Sequence, residues 1–196
     1  MPVDEKPEIS TKHNLIELRK LDLTLKLDIK YATKNNFLGR PVYKEPKAFL
    51  QKEVAEELIK INNELKNKGY ALLIFDGYRP WSVTKIFWDE TPIEKRNFVA
   101  DPKKGSTHNR GCAVDLSLFD LKTEEEVKMP CPYDEFSERA YPAYTDGNIE
   151  KLKMRNFLIY EMEKSDLFKV NTYEWWHFDY KNCEKYPILD LSFDEL

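Results

Sequence analysis

The chain has three histidines in 196 residues, His13, His108 and His177. Two of them stand in distant segments that also carry carboxylates. The first is Gly105-Ser106-Thr107-His108-Asn109-Arg110-Gly111-Cys112-Ala113-Val114-Asp115, and the second is Glu174-Trp175-Trp176-His177. His108, Asp115 and His177 make the donor set of a catalytic zinc site, in which three protein ligands leave a fourth position for water. If they share one ion, the fold must bring the two segments to one point. Seven residues separate His108 from Asp115, so the two are not direct neighbours on a helix face. A tight turn through Asn109-Arg110-Gly111 can instead leave His108 at a loop edge and put Asp115 on the strand that follows. Glu174 lies three residues before His177. If the Trp pair bulges or turns, it faces the open position as a general base. Trp175 and Trp176 read as core and pocket wall, and His13 as a solvated surface residue.

Hydrophobic periodicity supplies the frame. Leu21, Leu23, Leu25 and Leu27 alternate with polar residues, the mark of a half-buried strand. Leu50, Val54, Leu58, Ile61 and Leu65 share one face of a helix over 48–68, which Gly69 stops. The apolar run 70–75 reads as a strand buried on both sides, followed by the turn Asp76-Gly77-Tyr78-Arg79-Pro80 and a helix over 81–88. Residues 111–119 read as the strand carrying Asp115, and 121–137 as a polar connection with room for a hairpin. A second long helix over 149–164 is expected to turn Ile149, Leu152, Phe157 and Ile159 or Met162 inward, and 168–180 reads as strand. The expected organisation is a charged leader over 1–14 and a single domain over 15–196. Its class is α+β, a central, mostly antiparallel sheet with helices packed outside.

Charge narrows the partners. The net charge is −4 and the pI about 5.6, which gives no basic face for nucleic acid or an anionic membrane. No apolar run approaches the roughly 18–20 residues of a membrane span. The polar N-terminus lacks the apolar core of a signal peptide, so the expected compartment is cytoplasmic unless a leader precedes this sequence. Cys112, Cys131 and Cys183 form no C-x-x-C pair. They read as three buried or neutral thiols, with a Cys112–Cys131 bridge as the alternative outside the cytosol. Arg79, at the end of the central strand, is placed to meet a substrate oxyanion or carboxylate, or to pair with Asp76.

Ser106-x-His108-x-x-Gly111-x-Ala113-x-Asp115 with Glu174-x-Trp176-His177 resembles the zinc D-alanyl-D-alanine dipeptidases of the VanX type. These share a superfamily with zinc D-Ala-D-Ala carboxypeptidases and the hedgehog signalling domain. Lys30-Tyr31-Ala32-Thr33, Asn36-Phe37, Gly39, Pro41-Val42, Asp76-Gly77-Tyr78-Arg79-Pro80 and Asp134 with Ser137-Glu138-Arg139 extend the likeness over about 20–190, toward the dipeptidase branch. The resemblance implies one Zn2+ per chain on His108, Asp115 and His177, with Glu174 as base and Arg79 stabilising the transition state. It implies that Tyr31, Ser106 and Asp134 hold the ends of a small D,D-dipeptide, which metal-activated water hydrolyses. Two departures stand out: Cys112 inside the motif, and Met129-Pro130-Cys131-Pro132 ahead of Asp134. The alternatives are a zinc D,D- or L,D-carboxypeptidase acting on peptidoglycan stem peptides, and a zinc-binding module without turnover.

Overall fold

In a computed structural model, which describes residues 6–196, the chain opens with β1 (Ile9–Ser10), β2 (Leu15–Glu17), the single helical turn α1 (Leu18–Leu21) and β3 (Lys26–Leu27). It continues through β4 (Phe49–Gln51), α2 (Lys52–Lys66), β5 (Tyr70–Asp76), α3 (Trp81–Glu90), β6 (Ala113–Asp120) and β7 (Glu125–Glu126). The last elements are α4 (Ile149–Glu163), β8 (Phe168–Val170), β9 (His177–Tyr180) and β10 (Ile188–Leu189).

The two apolar runs of the sequence form the middle of the sheet. β5 and β6 pair antiparallel, with Tyr70 opposite Asp120 and Asp76 opposite Asp115, and the register shifts between Ile74 and Asp76. β9 pairs with the other edge of β6, placing His177 directly opposite Asp115. The strand order is β3-β5-β6-β9-β8, with β7 on β6 as the anticipated hairpin. Only β3 on β5 is parallel within this sheet, so it is mostly antiparallel and mixed at one edge.

α2 covers the sheet with Val54, Leu58, Ile61 and Leu65, all at most 2% exposed, while Leu50, expected on the same helix face, lies on β4. Burying each such side chain contributes about 1.5–3 kcal/mol. Asn62 shares that buried face without penalty, because its Oδ1 accepts the Leu72 N–H at 2.9 Å.

Three expectations are corrected. The alternating segment 21–27 is not one strand. Asp22 accepts hydrogen bonds from the Thr24 N–H and hydroxyl at 2.8 and 2.6 Å, a local turn that competes with sheet pairing, and Leu23 is 76% exposed. Within the expected leader, Ile9–Ser10 pairs with β10, and residues 1–5 lie outside the described residues. In α4, Ile149 is exposed and the buried stripe is Arg155, Leu158, Glu161 and Met162. Arg155 donates to the Tyr144 carbonyl at 2.7 Å and Glu161 pairs with Lys68 and Lys164, so a satisfied ionic stripe hid the inward face. Finally, Cys112 and Cys183 form a disulfide with Cα atoms 5.7 Å apart, and only Cys131 remains a free, buried thiol.

Candidate active site

The turn before β6 is built for His108. Ser106 and Asn109 form a reciprocal cap, the Ser106 hydroxyl accepting the His108 N–H and the Asn109 side chain accepting the Ser106 N–H at 2.8 Å. Gly111 ends the turn in the left-handed region at φ 67°, where a Cβ would lie 2.4 Å from Leu15 Cδ2. The turn is pinned to the Asp76–Pro80 loop by Arg79 N–H donating to the His108 carbonyl (3.1 Å) and Asn109 donating to the Arg79 carbonyl (2.9 Å). Asp115 follows on β6, and the segment between β8 and β9 turns at the Trp pair, His177 N–H reaching back to the Glu174 carbonyl at 3.3 Å. Trp175 and Trp176 are both 1% exposed, part of the core beneath the site.

His108, Asp115 and His177 converge. His108 Nε2 lies 3.1 Å from His177 Nδ1 and 3.3 Å from Asp115 Oδ1, and His177 Nδ1 lies 3.1 Å from Asp115 Oδ1. All three residues are buried, and among the described residues they are the cluster able to hold a metal ion. The outer nitrogen of each imidazole has its own partner: His108 Nδ1 meets the Gly77 carbonyl at 2.7 Å, and His177 Nε2 meets Asp179 Oδ1 at 2.9 Å. Tyr133 donates its hydroxyl to the remaining Asp115 oxygen at 2.8 Å.

The electrostatics favour a cation at the convergence. Burial opposes a charge on His177, yet the Asp115 and Asp179 carboxylates outweigh it and push the imidazole well above its ordinary range. Burial likewise works against ionised Asp115, but the two histidines hold it far below the usual carboxylate range. Glu174 Oε2 stands 3.9 Å from His177 Nδ1. Burial is the main cause that pushes its carboxyl up to about 7, Asp115 adding to the rise and His177, His108 and Arg79 opposing it. A carboxyl with that pKa suits proton transfer near neutral pH.

Of the two roles the sequence allowed Arg79, the structure shows the pairing with Asp76. Its Nε and Nη2 are committed to Asp76 Oδ2 at 3.0 and 2.8 Å, while Nη2 also stands 3.7 Å from Asp115 Oδ2. Its guanidinium carbon lies 4.6 Å from the Phe87 ring centroid and 5.4 Å from that of Tyr31, which fixes its plane. Tyr43 and the Gly77 N–H satisfy the other Asp76 oxygen. Across the site, Tyr31 donates to Asp134, its hydroxyl 3.0 and 2.9 Å from the two carboxylate oxygens. Asp134 sits in the left-handed region at φ 61°, and burial pushes its carboxyl well above the ordinary range despite the Tyr31 hydrogen bond.

Tyr31, Arg79, Ser106, His108, Asp115, Asp134, Glu174 and His177 all line one cavity of about 340 Å3, walled by Phe37, Phe98 and Phe136. The sequence reading missed Tyr133 and Asp179 and left Asp76 as one possible partner of Arg79. Asp179 had a signal, since it lies two residues from His177 and shares its strand face. Tyr133 had none beyond standing next to Asp134.

A buried two-histidine, one-aspartate cluster beside a glutamate of raised pKa has the layout of a hydrolytic metal centre. The family model described as D-ala-D-ala dipeptidase matches residues 11–190. The chain belongs to that peptidase family. It is 29% identical over 185 residues to the D-alanyl-D-alanine dipeptidase of Escherichia coli (strain K12), covering 94% of each chain. It is 34% identical over 181 residues to that of Enterococcus faecium, covering 82% of this chain and 87% of the relative. A solved LdcB LD-carboxypeptidase aligns over 70% of this chain and 63% of its own, with 21% identity and a TM-score of 0.40.

Proposed function

We propose that this protein hydrolyses D-Ala-D-Ala and related D,D-dipeptides to free amino acids, with one zinc ion per chain on His108, Asp115 and His177. The single observation that carries the reading is the convergence of these three donors in the same cavity as Glu174 and Arg79. Their spacings of 3.1, 3.1 and 3.3 Å fit a tetrahedral ion, whose ligands stand about 3.3 Å apart when bonds are about 2.0–2.1 Å. Two neutral imidazoles and a carboxylate are a zinc donor set, and hold such an ion with net charge +1. Zinc there would polarise the scissile carbonyl and make a water molecule acidic enough to lose its proton near neutral pH.

The protein's own groups do the rest. Glu174 takes the proton from the attacking water and delivers it to the leaving amine. Arg79, held flat between Asp76 and the Phe87 ring, presents positive charge to the oxyanion that develops at the carbonyl. Asp134, with Tyr31 on its carboxylate, receives the substrate ammonium, whose charge then draws the Asp134 proton off. Ser106, which lines the same cavity, receives the substrate carboxylate.

The test compares free D-Ala-D-Ala with a longer peptide ending in D-Ala-D-Ala. Cleavage of the free dipeptide with little on the longer one supports a dipeptidase. Cleavage of the longer peptide alone overturns it in favour of a carboxypeptidase, and cleavage of neither overturns both.

A further inference from the structure

We propose that Asp179 is a positioning residue of the metal centre, fixing the ring orientation and tautomer of His177 so that its Nδ1 lone pair faces His108 and Asp115. The inference rests on the metal reading above. His177 and Asp179 alternate onto the same face of β9, and Asp179 Oδ1 lies 2.9 Å from His177 Nε2. A carboxylate only accepts, so the Asp179 contact puts a hydrogen on Nε2. Nδ1 lies 3.1 Å from both Asp115 Oδ1 and His108 Nε2, so once an ion replaces the hydrogen that Asp115 would otherwise accept there, Nδ1 is the nitrogen left bare to hold it.

His108 is oriented in the mirror sense, since its Nδ1 is taken by the Gly77 carbonyl and its Nε2 faces inward. One ligand histidine is therefore steered by backbone, which side-chain substitution does not remove, and the other by a side chain that can be changed. Asp179 is itself held. Its backbone pairs with Ala113 on β6 and Lys169 on β8, so the strand pairing that brings His177 beside Asp115 also fixes Asp179 behind it. Outer partners of this kind are generally worth ~10–100-fold in metal affinity.

Zinc affinity, measured by competition with a chromophoric chelator, tests this in wild type, Asp179→Ala and Asp179→Asn, alongside melting of each metal-free protein. The expected result is a ~10–100-fold weaker zinc affinity for Asp179→Ala. Asp179→Asn recovers most of the loss, because its amide oxygen still accepts from Nε2–H. An Asp179→Ala affinity equal to wild type overturns the proposal. So does an equal loss in both variants, which would make the carboxylate a charge and not a tautomer-setting acceptor. If Asp179→Ala fails to fold, long-range 15N–1H correlation on zinc-loaded wild type decides: a hydrogen on His177 Nε2 with Nδ1 on the metal is expected, and the reverse overturns the proposal. Failure of wild type to bind zinc would instead count against the metal reading.

Discussion

Replacing Glu174 by Gln separates chemistry from folding. In the metal-free protein the Glu174 carboxyl rises from an ordinary 4.5 to about 7, chiefly through burial. A folded-state pKa above the unfolded value means that the native state binds this proton more tightly. Its contribution is therefore fully present below pH 4.5 and is lost as pH climbs through about 7. The full difference corresponds to about 3 kcal/mol. The side chain keeps 21% exposure, so solvent trims this to roughly 1–3 kcal/mol. Gln does not ionise. Metal-free Glu174→Gln should thus gain roughly 1–3 kcal/mol over wild type between pH 4 and pH 8, a relative rise in melting temperature of roughly 2–12 °C for a chain of this size. The same variant should keep zinc and lose hydrolysis by ~10^2–10^4-fold. Calorimetry of metal-free proteins at pH 4 and 8, with D-alanine release from the zinc forms, reads both. Full activity, or a wild-type-to-variant stability difference that does not change with pH, refutes the reasoning.

Other perturbations follow from the same geometry. His108→Ala should remove zinc binding while leaving far-UV circular dichroism intact, measured by metal content after dialysis. Arg79→Lys should lower kcat by ~10^2–10^3-fold with less change in KM. Arg79→Ala should also destabilise by about 3–5 kcal/mol in denaturant titration, because Asp76 is left buried without its forked partner. Reducing the Cys112–Cys183 bridge, which closes 71 residues, should cost up to about 4 kcal/mol and raise the count of titratable thiols from one to three.

The candidate metal cluster was legible because its residue types are scarce and their spacing is peculiar. With two of three histidines beside carboxylates, few arrangements use them all. α2, β5 and β6 were legible because their periodicity answers to one sheet face. What stayed hidden depends on pairing between distant strands. The sequence does not say that β9 lies beside β6, and that pairing sets the Tyr180 N–H on the Cys112 carbonyl at 2.8 Å and brings Cys183 to Cys112. Tyr133 is silent for the same reason, its hydroxyl meeting a strand 18 residues earlier. α4 misled through chemistry, since a hydrophobic pattern does not register a buried arginine and glutamate whose bonds are satisfied.

The most direct test of the account is D-alanine released from D-Ala-D-Ala as zinc is titrated into metal-free protein. No release is expected without metal, then a linear rise and a plateau at one zinc per chain. Hydrolysis that survives complete metal removal, or a fully zinc-loaded protein that leaves the dipeptide intact, would contradict it.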